Sequence, residues 1–514
     1  MDSKNFYITS PIYYVNDVPH IGHAYTSIAC DVLARFRRLE GCDVFFLTGT
    51  DEHGQKVEKS ASARGKNPQE FCDEVSGKFR ELASTLNLSN DDFIRTTEER
   101  HKKSAQEFWK ILEENGSIYK GTYEGWYAVR DEAFYAEDEL VNGKAPTGAE
   151  VTWHKEESYF FKLSSFQEKL LMLYEAAPDF IRPQSRYNEV VSFVKGGLKD
   201  LSISRTSFSW GIPVPNSESH VMYVWLDALV NYLSALGFPN QNNNLFQKFW
   251  CNTAQSPVHI VGKDIVRFHA VYWPAFLMAA NINLPHSIYA HGWWTNEGQK
   301  ISKSVGNVID PHKELEWLES LGCSKETAID YFRYFLMREV PFGNDGDYSR
   351  ENFLTRINAE LANNIGNLVQ RCLTMIWKNC DGKIPATTNQ KILSNIFDNY
   401  ASWITDLMND FAFDKAIAMA ISLASVANKN FNDSAPWNLK KEGKVDEMND
   451  ALYQAADSIR VVAILLLPFV PTSAEKILDL LGVGNDERNM SSFSKSIPAG
   501  QQILEPSPIF PRLG

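Results

Sequence analysis

Two histidines near the amino terminus, in the sequence His20-Ile21-Gly22-His23, are spaced so that they can act together. Apolar residues recur at helical spacing from Ile21 onward, so both imidazoles are predicted in the first turn of a helix, on one face. That turn presents unpaired N–H groups, which favour negative charge. Gly22 leaves the backbone bare where a flat ring could lie. The combination suits a nucleotide triphosphate, although four residues alone do not identify such a site.

A second group of candidate residues, Lys300-Ile301-Ser302-Lys303-Ser304, follows a strand-like run near residue 290. Two lysines can neutralise the charge that builds up on phosphates, and small residues let a loop close over a ligand. Alone, such a segment is ordinarily a solvated surface loop. Together with the histidine pair it predicts a phosphate site.

The elements that must position these residues alternate strands with helices. Phe6–Thr9 and Asp43–Leu47 are strand-like apolar runs, each followed by a helical pattern. This order is typical of a parallel sheet with helices on its faces, in which ligands bind beyond the carboxyl ends of the strands. The histidine pair and Thr48–Gly54 are both predicted at that edge. Further on, the predicted elements are a strand at His220–Trp225, a helix over Asp227–Leu236 and strands at Pro257–Val261 and Ser287–His291.

Two changes of pattern divide the chain into predicted domains. From about residue 116 dense aromatic residues predict short antiparallel strands, which interrupt the α/β domain as an insertion. Beyond residue 348 long helical patterns predict an all-helical bundle. The predicted boundaries are residues 1–115 and 216–290 for the two halves of the α/β domain, 116–215 for the insertion, 291–348 for the lysine loop region and 349–514 for the bundle with its tail.

Composition excludes several classes of protein. The 514 residues, 44% hydrophobic and 22% charged, are typical of a soluble globular chain, and no apolar run is long enough to span a membrane. Seven cysteines without a Cys-x-x-Cys pair favour a reducing compartment, so a cytoplasmic location is expected. The net charge of −13 disfavours sequence-blind nucleic-acid binding and leaves open a specific RNA partner.

Five segments carry a family resemblance: Tyr14–His23, Thr48–Gly54, Tyr223–Ala228, Gly262–His269, and Lys300–Ser304 with Gly306–Val308. They resemble the class I aminoacyl-tRNA synthetases, with their HIGH-type and KMSKS-type motifs, and in detail the methionyl-tRNA synthetase family. Ile301 replaces the usual methionine of the second motif. The helical region adds Asn363–Arg371 and Ala435-Pro436-Trp437, so the resemblance covers almost the whole chain.

The resemblance implies a fold and a reaction. The fold would be a Rossmann-like parallel sheet interrupted by a connective α+β domain and followed by a helical anticodon-binding domain. The reaction would be that of a methionine–tRNA ligase, which forms methionyl-adenylate from ATP and L-methionine and transfers methionine to the 3′ end of tRNA(Met). The methionine carboxylate attacks the α-phosphate, so the protein mainly positions reactants and stabilises charge. Mg²⁺ is expected with the ATP.

For ATP, the resemblance implies a role for residues in four segments. His20 and His23 would hydrogen-bond the phosphates in the transition state, while Lys300 and Lys303 would hold the leaving pyrophosphate. A carboxylate at a strand end, Asp264, could accept hydrogen bonds from both ribose hydroxyls. The implied ATP residues are His20, Gly22, His23, Gly262, Asp264, Lys300, Ser302 and Lys303.

For methionine, the family's site is an aromatic-walled slot, and a thioether sulfur makes favourable contacts at ring edges. The fit must be close, because one methylene contributes only about 1–3 kcal/mol of discrimination. Asp51 would pair with the amino group. The implied methionine residues are Pro11, Ile12, Tyr14, Asp51, Trp225, Ala228, Leu229, Tyr232, Ile265 and His269.

For tRNA, the resemblance implies that Asn367, Arg371 and Trp437 read the anticodon. An indole can stack on an unpaired base, and Arg and Asn can read base edges. A local basic face is expected near them, from Arg356, Lys378, Lys440 and Lys441.

One departure from many relatives concerns zinc. Their inserted domain carries Cys-x-x-Cys pairs, whereas residues 116–215 contain no cysteine. His154 alone cannot build a tetrahedral site, so no structural zinc is expected. We also expect a monomer, because no dimerising domain follows the bundle.

Three other functions remain open at this point. They are a class I synthetase for another amino acid, a small-molecule adenylyltransferase and a non-catalytic RNA-binding paralogue. An adenylyltransferase would not need the bundle, and a binding module would not need the paired histidines and lysines.

Overall fold

The computed structural model describes residues 4–16, 18–130, 133–135, 137–253, 255–301, 306–387 and 390–514, without the side chains of residues 123, 133, 134, 154 and 390–398. The chain divides into two compact units. Unit 1 comprises Met1–Pro19, Val44–Ser84 and Asn90–Ala290, and unit 2 comprises His20–Asp43, Thr85–Ser89 and His291–Gly514.

The strands, in chain order, are β1 (Asn5–Tyr14), β2 (Asp43–Asp51), β3 (Asp92–Arg95), β4 (Ile118–Ala128), β5 (Ala133–Tyr135), β6 (Thr152–Phe161), β7 (Ile181–Arg182), β8 (Leu201–Ser202), β9 (Ser204–Arg205), β10 (Val221–Met222), β11 (Val258–Gly262), β12 (Ser287–His291), β13 (Trp294–Asn296), β14 (Gln299–Lys300) and β15 (Gly346–Tyr348).

The helices are α1 (Ile21–Leu39), α2 (Gln55–Ala63), α3 (Pro68–Thr85), α4 (Glu99–Glu114), α5 (Gln167–Ala176), α6 (Gln184–Lys195), α7 (Val224–Leu229), α8 (Asn231–Ser234), α9 (Asn244–Phe246), α10 (Trp273–Ala280), α11 (Pro311–Ser320), α12 (Lys325–Arg338), α13 (Arg350–Arg356), α14 (Asn367–Asn379), α15 (Gln390–Asn409), α16 (Phe413–Ser434), α17 (Pro436–Lys441), α18 (Val445–Leu466) and α19 (Pro471–Leu480). No helix in the described ranges is both long and apolar enough to cross a membrane.

A six-stranded sheet with the order β3-β2-β1-β11-β12-β7 organises unit 1. β1 pairs with β11, β2 with β3 and β12 with β7, each in parallel. In the first of these pairs Thr9 lies opposite His259. The predicted α/β class is confirmed, because apolar runs such as Val258–Val261 form fully buried strands, as expected for a sheet covered on both faces.

The insertion forms a second sheet, with the order β5-β4-β6-β8. β4 and β6 are antiparallel from Ile118–Phe161 to Tyr127–Thr152, as the aromatic pattern predicts. The aromatic side chains divide between the two faces. Phe161 is buried in the main core of unit 1, whereas Trp153 is 53% exposed and packs edge-on against Trp126.

Unit 2 is mainly helical after β15, as predicted. The apolar run Val461–Leu466 lies within α18 and is buried throughout, which explains its composition. α13 continues through a π-helical segment, Ile357–Gly366, into α14. In the part of the chain that the structure describes, β15 is the last strand.

Two predictions of local structure are wrong. The strand predicted at His220–Trp225 is only Val221–Met222, and Val224 already begins α7; a short apolar run does not distinguish a strand from a buried helix. The helix predicted over Asp227–Leu236 is therefore shifted and divided into α7 and α8. A third prediction, that both histidines lie in the first turn of α1, holds for His23 only, because His20 lies just before that turn as its N-cap, with extended backbone angles.

Candidate active site

The residues predicted to act on ATP and methionine fall into two groups, one in each unit. Unit 2 holds His20, Gly22, His23 and Lys300, and unit 1 holds Gly262, Asp264 and all the residues assigned to methionine. Ser302 and Lys303 lie outside the described residues.

The two histidines cap the start of α1 reciprocally. The Gly22 N–H donates to Nδ1 of His20 at 3.1 Å, and the His20 N–H donates to Nδ1 of His23 at 3.0 Å. The ring centroids are 3.9 Å apart. A Cβ at position 22 would come within 3.0 Å of the His20 ring, so glycine is what allows the imidazole to lie over the backbone.

This capping decides which ring nitrogens can donate. An Nδ1 that accepts a backbone N–H carries no proton, so each neutral imidazole carries its proton on Nε2. Burial, and secondly the neighbouring His20, lower the pKa of His23 well below its ordinary value. His23 is therefore a neutral N–H donor at physiological pH, suited to an anionic oxygen.

Further hydrogen bonds within unit 2 anchor the first turn of α1. The Ile21 N–H donates to the carbonyl of Ile309 at 3.0 Å. The Thr26 hydroxyl contacts Nε2 of His291 at 2.7 Å and the carbonyl of Gly22 at 3.0 Å. The helix start is thus held by segments on both sides of the lysine loop.

Lys300 lies at the end of a hairpin formed by β13 and β14. Asn307 donates to the Lys300 carbonyl at 3.1 Å and its own carbonyl accepts from Asn296 at 3.0 Å, which joins the two ends of the loop. The Lys300 ammonium lies 5.5 Å from the ring centroid of Trp293, which is 44% exposed. A phosphate that binds the Lys300 ammonium would replace only a weak cation–π contact with Trp293.

A buried polar chain forms one wall of the proposed methionine slot in unit 1. The Tyr232 hydroxyl lies 2.7 Å from Nε2 of His269, whose Nδ1 lies 3.0 Å from the Ile265 carbonyl. A carbonyl only accepts, so His269 carries its proton on Nδ1 and Tyr232 donates to Nε2. Burial lowers the pKa of His269 to about 4, so the ring is neutral at physiological pH.

The other assigned methionine residues come from three elements of unit 1. Trp225, on α7, stacks on Phe268 with centroids 3.4 Å apart. Ala228 and Leu229 are buried on the same helix, and Asp51 is buried at the end of β2. Pro11, Ile12 and Tyr14 lie on β1, where Pro11 is buried and the other two are half-buried.

A buried Asp227 links α7 to the segment after β2, a connection that no motif in the sequence indicates. Its two carboxylate oxygens lie 2.7 Å from Nδ1 of His53 and 2.8 Å from Nε2 of His101. Although burial raises the pKa of Asp227, the charge of His53 and the hydrogen bonds from both rings hold it at about 2. Asp227 thereby fixes α7, with Trp225 and Ala228, against the turn that follows Asp51.

Gly262 is the last residue of β11, and Asp264 lies two residues beyond it. A Cβ at position 262 would lie 2.5 Å from Oδ1 of Asp264, so the carboxylate folds over the glycine. The Asp264 side chain is exposed, so its carboxylate is accessible to accept hydrogen bonds from ribose hydroxyls.

In the described residues no group of three or more His, Cys, Asp or Glu side chains could hold a metal ion.

A polar concavity of about 600 Å³ lies in the helical part of unit 2. Asn367 and Arg371 of α14 line it together with Asn432 of α16. The Arg371 guanidinium donates to Oδ1 of Asn432 at 2.9 Å and lies 5.1 Å from the ring centroid of Trp437, which is 37% exposed. The three residues assigned to the anticodon are therefore close together.

Two family models match the chain in succession. The model described as class I tRNA synthetases (M) matches residues 6–152 and 147–373, and that of the anticodon-binding domain of methionyl tRNA ligase matches residues 381–514. The chain belongs to the methionyl-tRNA synthetase family.

Relatives within the methionyl-tRNA synthetase family match over full length. Methionine–tRNA ligase of Rickettsia conorii is 56% identical, with 99% of each chain covered, and that of Brucella suis is 50% identical, covering 100% of this chain and 98% of the relative. The structure of the Mycobacterium tuberculosis methionyl-tRNA synthetase in complex with methionyl-adenylate superimposes with a TM-score of 0.93 at 45% identity, covering 100% of both chains.

Proposed function

We propose that this chain activates L-methionine with ATP to form methionyl-adenylate and then transfers methionine to the 3′ end of tRNA(Met), for translation initiation and elongation. The observation that carries the proposal is the reciprocal capping of His20 and His23 at the start of α1, which assigns the donor role to Nε2 of both rings, in a chain of the methionyl-tRNA synthetase family.

In the first step the methionine carboxylate attacks the α-phosphorus of ATP. The bond to the bridging oxygen breaks, and pyrophosphate leaves with the electron pair. His20 and His23 donate from Nε2 to phosphate oxygens as charge develops, and their fixed orientation avoids reorganisation at that moment. Lys300 and Lys303, with Ser302, hold the pyrophosphate, while Gly22, Gly262 and Asp264 bind the remainder of ATP.

The methionine site combines one charge with an apolar slot. Asp51 pairs with the amino group. Pro11, Ile12, Tyr14, Trp225, Ala228, Leu229 and Ile265 contact the aliphatic chain, and Tyr232 and His269 lie at the sulfur. A thioether is a weak acceptor and is highly polarizable, so it is compatible with a wall whose polar atoms are already paired.

In the second step a terminal hydroxyl of tRNA attacks the adenylate carbonyl, and AMP leaves. Trp437 stacks on an anticodon base, and Asn367 and Arg371 read base edges. The proposed domains are those expected from the sequence, with a catalytic domain at 1–115 and 216–290, a connective insertion at 116–215, a stem-contact region at 291–348 and the anticodon-binding bundle at 349–514.

Mg²⁺ would enter with ATP and neutralise charge on its phosphates, because this ion keeps most of its waters and needs few protein ligands. We propose no structural zinc, and a monomeric enzyme that acts in the cytoplasm. Chelation by EDTA should stop the reaction, and Mg²⁺ alone should restore it; a requirement for added Zn²⁺ would contradict the metal assignment.

ATP–pyrophosphate exchange with each proteinogenic amino acid tests the function. Exchange is expected with methionine and Mg²⁺, and charging is expected with tRNA(Met). Exchange with a different amino acid would point to another synthetase, and exchange without any tRNA charging would point to an adenylyltransferase. Absence of exchange would leave an RNA-binding paralogue.

A further inference from the structure

His259, which the resemblance does not assign to the site, lies against the polar wall of the methionine slot. Its imidazole stacks on Tyr232, with ring centroids 4.2 Å apart and an interplanar angle of 29°. Neither side chain is more than 1% exposed. His259 therefore closes one face of the tyrosine ring whose hydroxyl meets His269.

The first strand holds both partners of this stack. The Thr9 hydroxyl lies 2.7 Å from Nδ1 of His259, its register partner on β11. Two residues earlier on the same face of β1, Tyr7 donates its hydroxyl proton to the backbone carbonyl of Tyr232 at 2.9 Å. One short stretch of strand thus fixes the histidine ring and the tyrosine backbone together.

The buried His259 side chain lowers the stability of the folded state. Burial, and secondly His269, hold the pKa of His259 well below its ordinary value, so the ring is neutral. Its Nε2 makes no hydrogen bond to any described residue. A buried polar atom without a partner destabilises a fold, so a phenylalanine would suit the core better. The imidazole is thus better explained by the site than by stability.

We propose that His259 is a positioning residue for recognition of the methionine side chain: its ring, fixed by Thr9, sets the plane of Tyr232 and so places the hydroxyl–imidazole pair that distinguishes a thioether from a hydrocarbon chain. The proposal rests on the proposed function, in which Tyr232 and His269 lie at the sulfur.

Norleucine supplies the discriminating measurement, because it replaces the methionine sulfur by a methylene of nearly equal size. Loss of packing alone lowers kcat/KM for both amino acids together. Displacement of the polar pair changes their ratio, since only the polarity at one position separates the two substrates.

Three substitutions separate the ring from its nitrogen atoms. His259→Asn keeps a polar atom near Thr9 but removes the ring, and His259→Leu keeps volume but is not flat. Both are expected to lower the methionine-to-norleucine ratio of kcat/KM in pyrophosphate exchange about tenfold. His259→Phe keeps a flat ring but cannot bond the Thr9 hydroxyl that fixes its plane, so it is expected to lower the ratio by a smaller factor, about threefold.

His220 provides a matched control in unit 1. It is also buried, its Nδ1 lies 3.0 Å from the Ser204 hydroxyl, and its ring packs against Tyr159 at 5.0 Å, outside the assigned methionine residues. His220→Asn should cost stability without changing the ratio. Melting temperatures of all variants monitor folding.

An unchanged ratio in any folded His259 variant would overturn the proposal, as would an equal fall in His220→Asn. Failure of the proposed function is a separate result, because wild-type protein would then show no methionine-dependent exchange at all.

Discussion

Asp31 and Arg333, 302 positions apart in the sequence, form a fully buried ion pair with an N–O distance of 2.7 Å. Asp31 lies on α1, C-terminal to the two histidines, and its carboxylate also accepts hydrogen bonds from Ser89 and Arg35. Arg333, on α12, donates in addition to the carbonyls of Leu86, Pro468 and Phe469. Within unit 2 the helix that begins at the histidines is therefore fixed through its middle to the helical region.

Removing one member of this pair should destabilise the protein strongly. Arg333→Met leaves the buried Asp31 carboxylate with Arg35 as its remaining cation and removes the donor to three backbone carbonyls, so we expect a loss of about 3–5 kcal/mol in the free energy of unfolding. Urea denaturation followed by fluorescence measures it. Lys444→Met is the control, because Lys444 and Glu442 form a half-exposed pair whose loss should leave the unfolding midpoint unchanged. Equal midpoints for Arg333→Met and wild type would contradict the assigned role.

The same pair predicts how stability depends on pH. Although burial raises the pKa of Asp31, Arg333 and Arg35 outweigh it and hold that pKa below its ordinary value. The unfolded chain then takes up the proton first, so this stabilisation is complete above about pH 4 and is lost as pH falls through the lowered native pKa. The difference in unfolding free energy between wild type and Asp31→Asn should shrink as pH falls from 6 towards 3. A constant difference would show that Asp31 does not titrate in this way.

His23→Ala should slow adenylate formation sharply and leave methionine affinity nearly unchanged. Loss of one oriented donor to a transition-state oxyanion costs about 10²–10³-fold in rate, and here also removes the acceptor of the His20 N–H. Single-turnover adenylate formation and equilibrium binding of methionine separate the two effects. His312→Ala, which changes another histidine near a helix start, is the control. A comparable loss of methionine binding would mean that the role of His23 is misassigned.

Trp437→Ala should impair tRNA charging but not pyrophosphate exchange. Stacking on one base contributes about 1–3 kcal/mol, so kcat/KM for tRNA should fall about fivefold to 150-fold. Asn432→Ala should give a smaller fall, because it removes only the acceptor that orients Arg371. Trp403→Ala tests the specificity of the effect, since this tryptophan of α15 is 53% exposed and lies outside the assigned site. If Trp437→Ala also slowed methionine-dependent pyrophosphate exchange in the absence of tRNA, that result would argue against an anticodon role for Trp437.

Asp227→Asn should weaken methionine binding and stability together. The amide cannot accept from His53 and His101 on both of its polar atoms, so α7 loses part of its attachment. We expect a higher KM for methionine with little change in kcat, and a loss of about 3–5 kcal/mol in unfolding free energy. Because the native pKa is about 2, this contribution is present above about pH 4 and is lost as pH falls towards 2. Unchanged KM with reduced stability would restrict Asp227 to a structural role.

Much of the fold and site follows from local sequence. Alternation of apolar runs and helical patterns predicts the parallel sheet and the helical bundle, because each element requires its own periodicity of buried residues. The paired histidines and the lysine loop can be picked out because their types and spacing are read along the chain, whereas the assignment of Asn367, Arg371 and Trp437 comes from the family resemblance. The relatives match in the same order over the whole length.

The tertiary structure decided what depends on distant partners. The sequence by itself determined that His20 and His23 are close, but only the cap geometry shows that both use Nδ1 and donate from Nε2. The sequence could not show that α7 begins within a predicted strand, that Asp31 and Arg333 form an ion pair, or that the His259 ring stacks on Tyr232. Such contacts join residues far apart in the chain, and desolvation and packing select them only when the core is assembled.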